Sequence, residues 1–330
     1  ASISVYINNG DGTFAAKVDY TTGTNPISVA IADFDNDGYV DLVVTNSGSA
    51  SASIFINDGD GTFATKVDYS TGSNPRYVTA MDLNNDGYAD LAIANESSDS
   101  VSVLLNNGDG TFATKVDYTT AVSPRSVTAA DFNNDGYVDL AVTNSDSVSV
   151  SVFLSNGDGT FATKVDYTTG TGPRGVIAAD LDNDGYIDLA VANLSSSSVS
   201  VFINDGDGTF ATKADYTTGG TPLSIATVDI NNDGYIDLAV ANFSEFISVN
   251  INNGDGTFTT NVDYTTGTSS RGVGAADFNN DGYMDLAVVN YSSISVSVLL
   301  NNATSTLTAS TTEFEQSTIS YTTPPNEDLD

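Results

Sequence analysis

The chain contains no cysteine, no histidine and no tryptophan. Without cysteine it has no disulfide, no thiol nucleophile and no thiolate metal site. Without histidine it lacks the usual general base and the usual zinc ligand. No apolar stretch approaches the length of a membrane-spanning helix, so we expect no insertion into a membrane. Any catalysis would depend on carboxylates or tyrosine, and we expect a protein that is not an enzyme.

Positive charge is scarce as well. Nine lysines and arginines stand against 43 acidic residues, which gives a formal net charge of −34. Nucleic acid and anionic membrane would both be repelled by this charge, so neither is an expected partner. Such acidity is typical of a solvating surface, of disorder or of cation binding. The arrangement of the acidic residues decides between these interpretations.

Much of the acidity falls in one nine-residue motif, Asp-x-Asp/Asn-x-Asp-Gly-Tyr-x-Asp, which we call the acidic loop. It occurs six times, at intervals of 48 or 49 residues. A period near 50 is typical of propellers and repeat arrays. Oxygen-bearing side chains at alternating positions around a glycine bend are typical of a calcium site. Positions one, three, five and nine would supply side-chain oxygens, and the tyrosine at position seven its backbone carbonyl.

The six loops predict about six structural calcium ions. Four carboxylates converging without a cation would repel one another, so we prefer this interpretation to plain Asx-turns. The two loops with aspartate at position three, Asp35 and Asp182, are expected to bind most tightly. The predicted ligands are Asp33, Asp35, Asp37, Tyr39 and Asp41; Asp82, Asn84, Asp86, Tyr88 and Asp90; Asp131, Asn133, Asp135, Tyr137 and Asp139; Asp180, Asp182, Asp184, Tyr186 and Asp188; Asp229, Asn231, Asp233, Tyr235 and Asp237; and Asp277, Asn279, Asp281, Tyr283 and Asp285.

Each repeat also predicts four short strands. Alternating, β-branched segments flank the acidic loop, and a Gly-Asp-Gly-Thr-Phe turn precedes the last strand. No segment has helical periodicity, so the predicted fold is all-β, with four antiparallel strands per blade. The phenylalanine that ends each turn and the tyrosines of each repeat are expected to pack between neighbouring sheets.

These two alternating motifs resemble the FG-GAP/VCBS repeat, which builds integrin-α-like calcium-binding β-propellers and secreted bacterial surface proteins. The resemblance covers residues 1 to about 302 and recurs six times. It implies a calcium-stabilised propeller and an extracellular or cell-surface location. The family includes adhesion modules, lectins and, rarely, polysaccharide lyases, so it constrains function less than fold.

The domain prediction is a propeller over residues 1–302 and a Thr/Ser-rich tail over residues 303–330. The chain starts with strands that match the third and fourth of a repeat, and the last repeat supplies strands one to three. The simplest closure pairs these terminal strands in one mixed blade and gives six blades; seven is the second choice, because it needs a blade without its inner strands. The tail has some strand character, which permits strand donation to a neighbouring subunit.

The turns between the second and third strands differ most between repeats, so any binding is expected there. Arginines that open several first strands lie on the same side; salt bridges within an acidic protein are the preferred explanation for them, and anion capture is the alternative. Asparagines near these turns head sequons, and the candidate glycosylation sites are Asn95, Asn193, Asn242, Asn290 and Asn302.

The sequence therefore favours a non-enzymatic building block of a cell-surface or self-assembling extracellular structure, with a filament among the outcomes. Its expected partners are other copies of itself, other surface proteins or glycans. A carbohydrate-binding, lectin-like propeller is the alternative, although the variable turns carry no repeated aromatic. A polysaccharide lyase is the remote alternative.

Overall fold

The computed structural model describes residues 1–7, 15–301 and 314–319, the last of these through the backbone only. Its strands form six four-stranded antiparallel sheets and one two-stranded sheet. In this part of the chain a short 3-10 helix, Glu96–Ser98, is the only helical element. No helix among the described residues has the length and apolarity that crossing a membrane requires. The predicted all-β class is confirmed.

The chain divides into two compact units, and the first comprises residues 1–169 and 206–209. It begins with a two-stranded sheet, β1 (Ser2–Val5) and β2 (Val18–Thr21). Three four-stranded sheets follow: the first sheet is β3 (Pro26–Ala32), β4 (Asp41–Asn46), β5 (Ser51–Phe55) and β6 (Val67–Ser70); the second is β7 (Pro75–Met81), β8 (Asp90–Asn95), β9 (Ser100–Leu104) and β10 (Val116–Thr119); the third is β11 (Pro124–Ala130), β12 (Asp139–Asn144), β13 (Ser149–Phe153) and β14 (Val165–Thr168).

The second unit comprises residues 170–205 and 210–330. It contains three further sheets: the fourth is β15 (Pro173–Ala179), β16 (Asp188–Asn193), β17 (Ser198–Phe202) and β18 (Ala214–Thr217); the fifth is β19 (Pro222–Val228), β20 (Asp237–Asn242), β21 (Phe246–Asn250) and β22 (Val262–Thr265); the sixth is β23 (Ser270–Ala276), β24 (Asp285–Asn290), β25 (Ser295–Asn301) and β26 (Phe314–Ile319).

The second and third strands of each sheet carry the core. Every residue of β12 and of β13 is buried, whereas β14 is mostly exposed. A strand buried on both faces needs apolar or hydrogen-bonded side chains throughout, which explains the runs of valine, alanine and serine. The third sheet shows the register, in which Leu140 lies opposite Phe153 and Val142 opposite Ser151. The inner strands of the third sheet are therefore buried on both faces.

Aromatic side chains join neighbouring sheets within a unit. The ring of Tyr118, on β10, meets Phe161 of the third sheet edge-to-face at 5.3 Å between centroids. Tyr69, on β6, meets Phe112 of the second sheet in the same way at 5.5 Å. Such pairs add roughly 0.5–1.5 kcal/mol beyond the area they bury. The prediction that turn phenylalanines and repeat tyrosines pack between sheets is confirmed for these pairs.

The terminal strands correct one prediction. The expected mixed blade of N-terminal and C-terminal strands is not formed among the described residues, since β1 pairs with β2 and β25 pairs with β26 of the tail. The six complete sheets agree with six blades. The pair β1–β2 adds a sheet without inner strands, the feature that the seven-bladed alternative required. The tail strand β26 is the fourth strand of the sixth sheet.

Candidate metal centre

The six acidic loops all connect the first strand of a sheet to its second. They span residues 33–41, 82–90, 131–139, 180–188, 229–237 and 277–285. The asparagine at position four has a left-handed backbone in each loop, with φ between 57° and 63°. The glycine at position six has φ between 88° and 93°, a conformation that disfavours any side chain. These two residues turn the chain back on itself and bring positions one, three and five together.

Backbone N–H groups fix the orientation of the loop carboxylates. In the first loop, Asp33 Oδ1 accepts from the N–H of Asp37 at 3.1 Å, and Asp33 Oδ2 accepts from Gly38 at 2.8 Å. Asp35 Oδ1 also accepts from Asp37, at 3.3 Å, and Asp37 Oδ1 accepts from Tyr39 at 2.9 Å. The other five loops repeat these contacts. A carboxylate oxygen that accepts one N–H keeps a second lone pair, so each remains able to bind a cation.

The aspartate at position nine anchors the loop. In the third loop, Asp139 is fully buried, and its Oδ2 accepts from the N–H of Phe132 at 2.9 Å. Its Oδ1 accepts from the N–H of Ser155, just beyond the third strand, at 2.7 Å. Burial nevertheless raises the pKa of Asp139 to about 6. One side chain therefore connects the loop, the second strand and the end of the third strand.

The same two contacts occur in all six loops, at 2.7–2.9 Å. Burial raises the pKa of Asp90 and Asp188 to about 6 and that of Asp237 to about 7, and it raises the pKa of Asp41 as well. A positive ion beside these carboxylates would offset the cost of burying them.

The donor set of two loops fits a metal ion directly. Carboxylate oxygens of Asp33, Asp35 and Asp37 lie within 4.8 Å of one another, and so do those of Asp180, Asp182 and Asp188. Oxygen ligands at about 2.3–2.6 Å from one ion can be separated by up to roughly 5 Å, so one ion can contact all three. Burial, followed by the charge of Asp37, raises the pKa of Asp35. A cation would relieve both effects.

The other four loops have asparagine at position three. In the third loop, Asn133 Nδ2 donates to Asp135 Oδ2 at 2.9 Å, while Asn133 Oδ1 accepts from the N–H of Asp135 at 3.1 Å. The amide oxygen thus occupies the place that Asp35 Oδ1 has in the first loop. These loops keep the oxygen geometry with one carboxylate fewer, and the predicted order of affinity stays a prediction.

Buried asparagines connect an acidic loop to the sheet that follows it, a feature that the sequence reasoning missed. Asn106, two residues beyond β9, donates through Nδ2 to the carbonyl of Phe34 in the first loop at 2.8 Å and to the carbonyl of Ala89 in the second at 3.0 Å. Asn252 makes equivalent contacts in the second unit, to Leu181 at 2.7 Å and to Ile236 at 2.9 Å. These hydrogen bonds therefore couple the conformation of an acidic loop to the position of the neighbouring sheet.

The sequon prediction is wrong for four of its five sites. Asn95, Asn193 and Asn242 are fully buried, and Asn290 is 1% exposed. Each donates its side-chain N–H to a serine of the next strand, so its Nδ2 atom has neither the space nor the solvent access that a glycan needs in the folded chain. The fifth candidate, Asn302, lies outside the described residues.

These asparagines instead begin a polar chain that crosses the sheet. In the second sheet, Asn95 Nδ2 donates to Ser102 Oγ at 2.8 Å, and Ser102 Oγ donates to Asp117 Oδ1 at 2.6 Å. Lys115 forms an ion pair with Asp117. The same order links Asn46, Ser53 and Asp68; Asn144, Ser151 and Asp166; Asn193, Ser200 and Asp215; and Asn242, Ser248 and Asp263.

The arginines lie beside the variable turns, away from the acidic loops in sequence. Arg76 and Arg125 both pair with Glu96, which sits in the turn after β8. Asn74 Nδ2 donates to the same carboxylate at 2.9 Å. The preferred explanation of salt bridges is confirmed for these two arginines, and it accounts for Glu96, an acidic residue that no repeat position explains. Arg271 is different, because two aromatic rings flank it.

Solved structures with a similar fold cover most of the chain. The periplasmic gluconolactonase PpgL of Pseudomonas aeruginosa has a TM-score of 0.68 at 18% identity, over 96% of this chain and 94% of that one. A protein from Lactobacillus plantarum has a TM-score of 0.67 at 15% identity, over 92% and 87%. An Agrocybe aegerita lectin that recognises non-reducing terminal N-acetylglucosamine has a TM-score of 0.63 at 20% identity, over 89% and 80%. At these identities the likeness shows the β-propeller fold alone.

No curated protein matches the chain. The model of the FG-GAP-like repeat, in contrast, matches six overlapping segments, residues 1–44, 33–93, 82–142, 131–191, 180–240 and 229–288. Each match from the second onward begins at position one of an acidic loop and runs through the next loop. The matched segments together extend from residue 1 to residue 288, so the chain belongs to the FG-GAP-like repeat family.

Proposed function

We propose that the chain is an extracellular, calcium-stabilised β-propeller that serves as a structural or adhesive building block and catalyses no reaction. The observation that carries this proposal is the repetition of one loop geometry six times. In every copy a position-nine aspartate links the acidic loop to the second and third strands of its own sheet. A cation held there would stabilise a sheet, which is a structural role.

Calcium suits these loops better than magnesium. The loops offer carboxylate, amide and backbone oxygens, and calcium accepts six to eight such ligands in variable geometry. Magnesium demands a near-octahedral set of shorter bonds and retains its water. Calcium is also abundant outside cells, which agrees with an extracellular location. Bound calcium ions would offset part of the chain's net charge of −34.

The proposed ligands can be tested by counting bound ions. The full chain, equilibrated in micromolar calcium and measured by mass spectrometry of the metal, should carry about six calcium ions. Asp131→Asn, at position one of the third loop, should lose one of them. Asp158→Asn is the matched control, because Asp158 lies in the exposed turn of the same sheet and accepts from Thr160. Equal counts in both variants would contradict the assignment of the ligands.

A building block must associate with something, and a second copy of the chain is our preferred partner. The tail strand β26 pairs with β25, so this part of the tail is able to add a strand to a repeat sheet. The same pairing between copies would produce an assembly or a filament. Light scattering in millimolar calcium should show polymers that shorten when residues 303–330 are removed. A monomer near 34.1 kDa would contradict self-assembly and favour a lone binding module.

A lectin-like function is the second candidate. Phe243 and Tyr291, on the variable turns of the fifth and sixth sheets, are 43% and 62% exposed. Exposed rings of this kind can stack on sugars, and the structurally similar Agrocybe lectin shows that this fold can carry a sugar site. A glycan array with the monomeric chain tests this candidate, and binding confined to a few related glycans would support it.

A further inference from the structure

Arg271 lies over two aromatic rings in the second unit. It is the second residue of β23, and its guanidinium carbon lies 4.0 Å from the ring centroid of Tyr291 and 5.3 Å from that of Phe243. Tyr291 follows β24 and Phe243 follows β20, so the two rings come from the variable turns of adjacent sheets. We call these three residues the arginine cluster. All three side chains are exposed.

The cluster has a positive charge without a negative partner. Within residues 1–7 and 15–301, no carboxylate lies within ion-pair distance of Arg271, although Glu245 is in the same turn as Phe243. Arg76, which holds the same place in its own sheet, forms an ion pair with Glu96. An arginine without an acidic partner is unexpected in a chain that has 43 acidic residues and nine basic ones.

The stacking prepares Arg271 for a planar anion. A guanidinium group that lies over aromatic rings is held by cation–π attraction, and its N–H groups remain available for hydrogen bonding. A carboxylate matches this edge with two parallel hydrogen bonds. Because the rings already fix the side chain, little conformational entropy remains to be lost when an anion binds.

We propose that the arginine cluster binds a carboxylate-bearing sugar residue at the end of a glycan, such as a uronic or sialic acid. The exposed part of the Tyr291 ring offers an apolar surface for the C–H face of a pyranose. Ser269 is two residues before Arg271 and Ser292 directly follows Tyr291; their hydroxyls lie 2.7 Å apart and can bond to sugar hydroxyls. A highly charged acidic peptide or polyuronate would be repelled by the chain's net charge of −34, whereas one terminal carboxylate is repelled far less.

This proposal rests on an adhesive role for the chain, and it names the class of ligand. The test uses saturation-transfer NMR and calorimetry on the full chain in millimolar calcium. Methyl glucuronide and methyl glucoside form a matched pair that differs only at C6, which is a carboxylate in the first and a hydroxymethyl group in the second. Methyl sialoside gives the second source of the same chemistry. We expect binding of at least one acidic sugar and none of methyl glucoside.

Arg271→Gln should weaken that binding at least about tenfold, since a charged hydrogen bond contributes about 1.5–3 kcal/mol and a tenfold change corresponds to 1.4 kcal/mol. Arg271→Lys keeps the charge and loses the two-pronged edge, so it should also bind weakly. Arg271 is exposed, and both variants should keep the wild-type unfolding midpoint.

Three results would overturn the proposal: no binding of either acidic sugar, unchanged binding by Arg271→Gln, or a tri-glutamate peptide that binds as tightly as the sugars. Light scattering on the same samples keeps this test separate from the proposed function. If the acidic sugars fail while the chain still assembles, the ligand class is wrong and the building-block role stands.

Discussion

Replacing Asn106 with serine should weaken the contact between the first and second sheets. The asparagine donates to the carbonyls of Phe34 and Ala89 at 2.8 and 3.0 Å, and its Oδ1 accepts from the N–H of Gly108 at 2.9 Å. Serine at this position can keep the last contact, as Ser155 does with Gly157 at 3.1 Å in the third sheet. It is too short to reach the two carbonyls.

The expected cost follows from what is lost. Two buried neutral hydrogen bonds contribute about 0.5–1.5 kcal/mol each, and a buried carbonyl left without a donor costs more than a bond that is simply absent. We therefore expect Asn106→Ser to lower the free energy of unfolding by about 2–3 kcal/mol. In urea unfolding in millimolar calcium, this loss of free energy should lower the unfolding midpoint and leave the dependence of the free energy on urea concentration unchanged.

The third sheet supplies the reverse experiment. Ser155 occupies the position of Asn106, and the side chain of an asparagine there would be long enough to reach back in the same way. Ser155→Asn should therefore raise the unfolding midpoint by the equivalent of about 1 kcal/mol. A change below about 0.5 kcal/mol for Asn106→Ser would refute the coupling of the acidic loop to its neighbouring sheet.

Three further predictions concern the polar chain, the loop glycine and pH. Ser102→Ala should destabilise the chain by about 2 kcal/mol, because Ser102 is buried in three hydrogen bonds, whereas Ser4→Ala in exposed β1 should cost less than about 0.5 kcal/mol; urea midpoints compare them. Gly136→Ala should cost about 1–2 kcal/mol by backbone strain alone, because φ is 89° and an added Cβ would meet no atom within 4 Å. Gly272→Ala is the control in the same assay, because Gly272 is equally open but has no positive φ. Burial raises the pKa of Asp237 to about 7, above the value of about 3.9 in an unfolded chain, so calcium-free protein should lose stability as pH rises from about 4 to 7. Calcium should abolish that loss because it favours the ionised carboxylate. Urea midpoints at pH 5 and pH 7.5, with and without calcium, measure the direction of the change in stability.

The repeat made most of the fold predictable. Strand positions follow from the spacing of the acidic loops, because each loop ends where a second strand begins, as Asp139 shows in β12. The aromatic contacts between sheets were also predictable, since Tyr118 and Phe161 occupy fixed repeat positions. One short segment is ambiguous as a strand, whereas the same pattern at six equivalent positions indicates a strand at each of them.

Contacts between distant segments were not predictable. A sequon reports only three adjacent residues, so it could not show that Asn95 is buried against Ser102. The reach of Asn106 to a carbonyl 72 residues earlier depends on how two sheets pack. Sequence alone also could not reveal that β26, whose residues do not match a repeat strand, pairs with β25. In each case the partner is distant in the chain and follows no local period.

The most direct test of the central claim, that the acidic loops are calcium sites which stabilise the folded chain, is thermal unfolding with and without a chelator. A ligand bound only by the folded state contributes about 2.7 kcal/mol per site at a concentration one hundred times its dissociation constant. Several such sites predict that a chelator lowers the unfolding temperature markedly and that added calcium restores it. An unfolding temperature that is the same in millimolar calcium and in excess chelator would contradict the account.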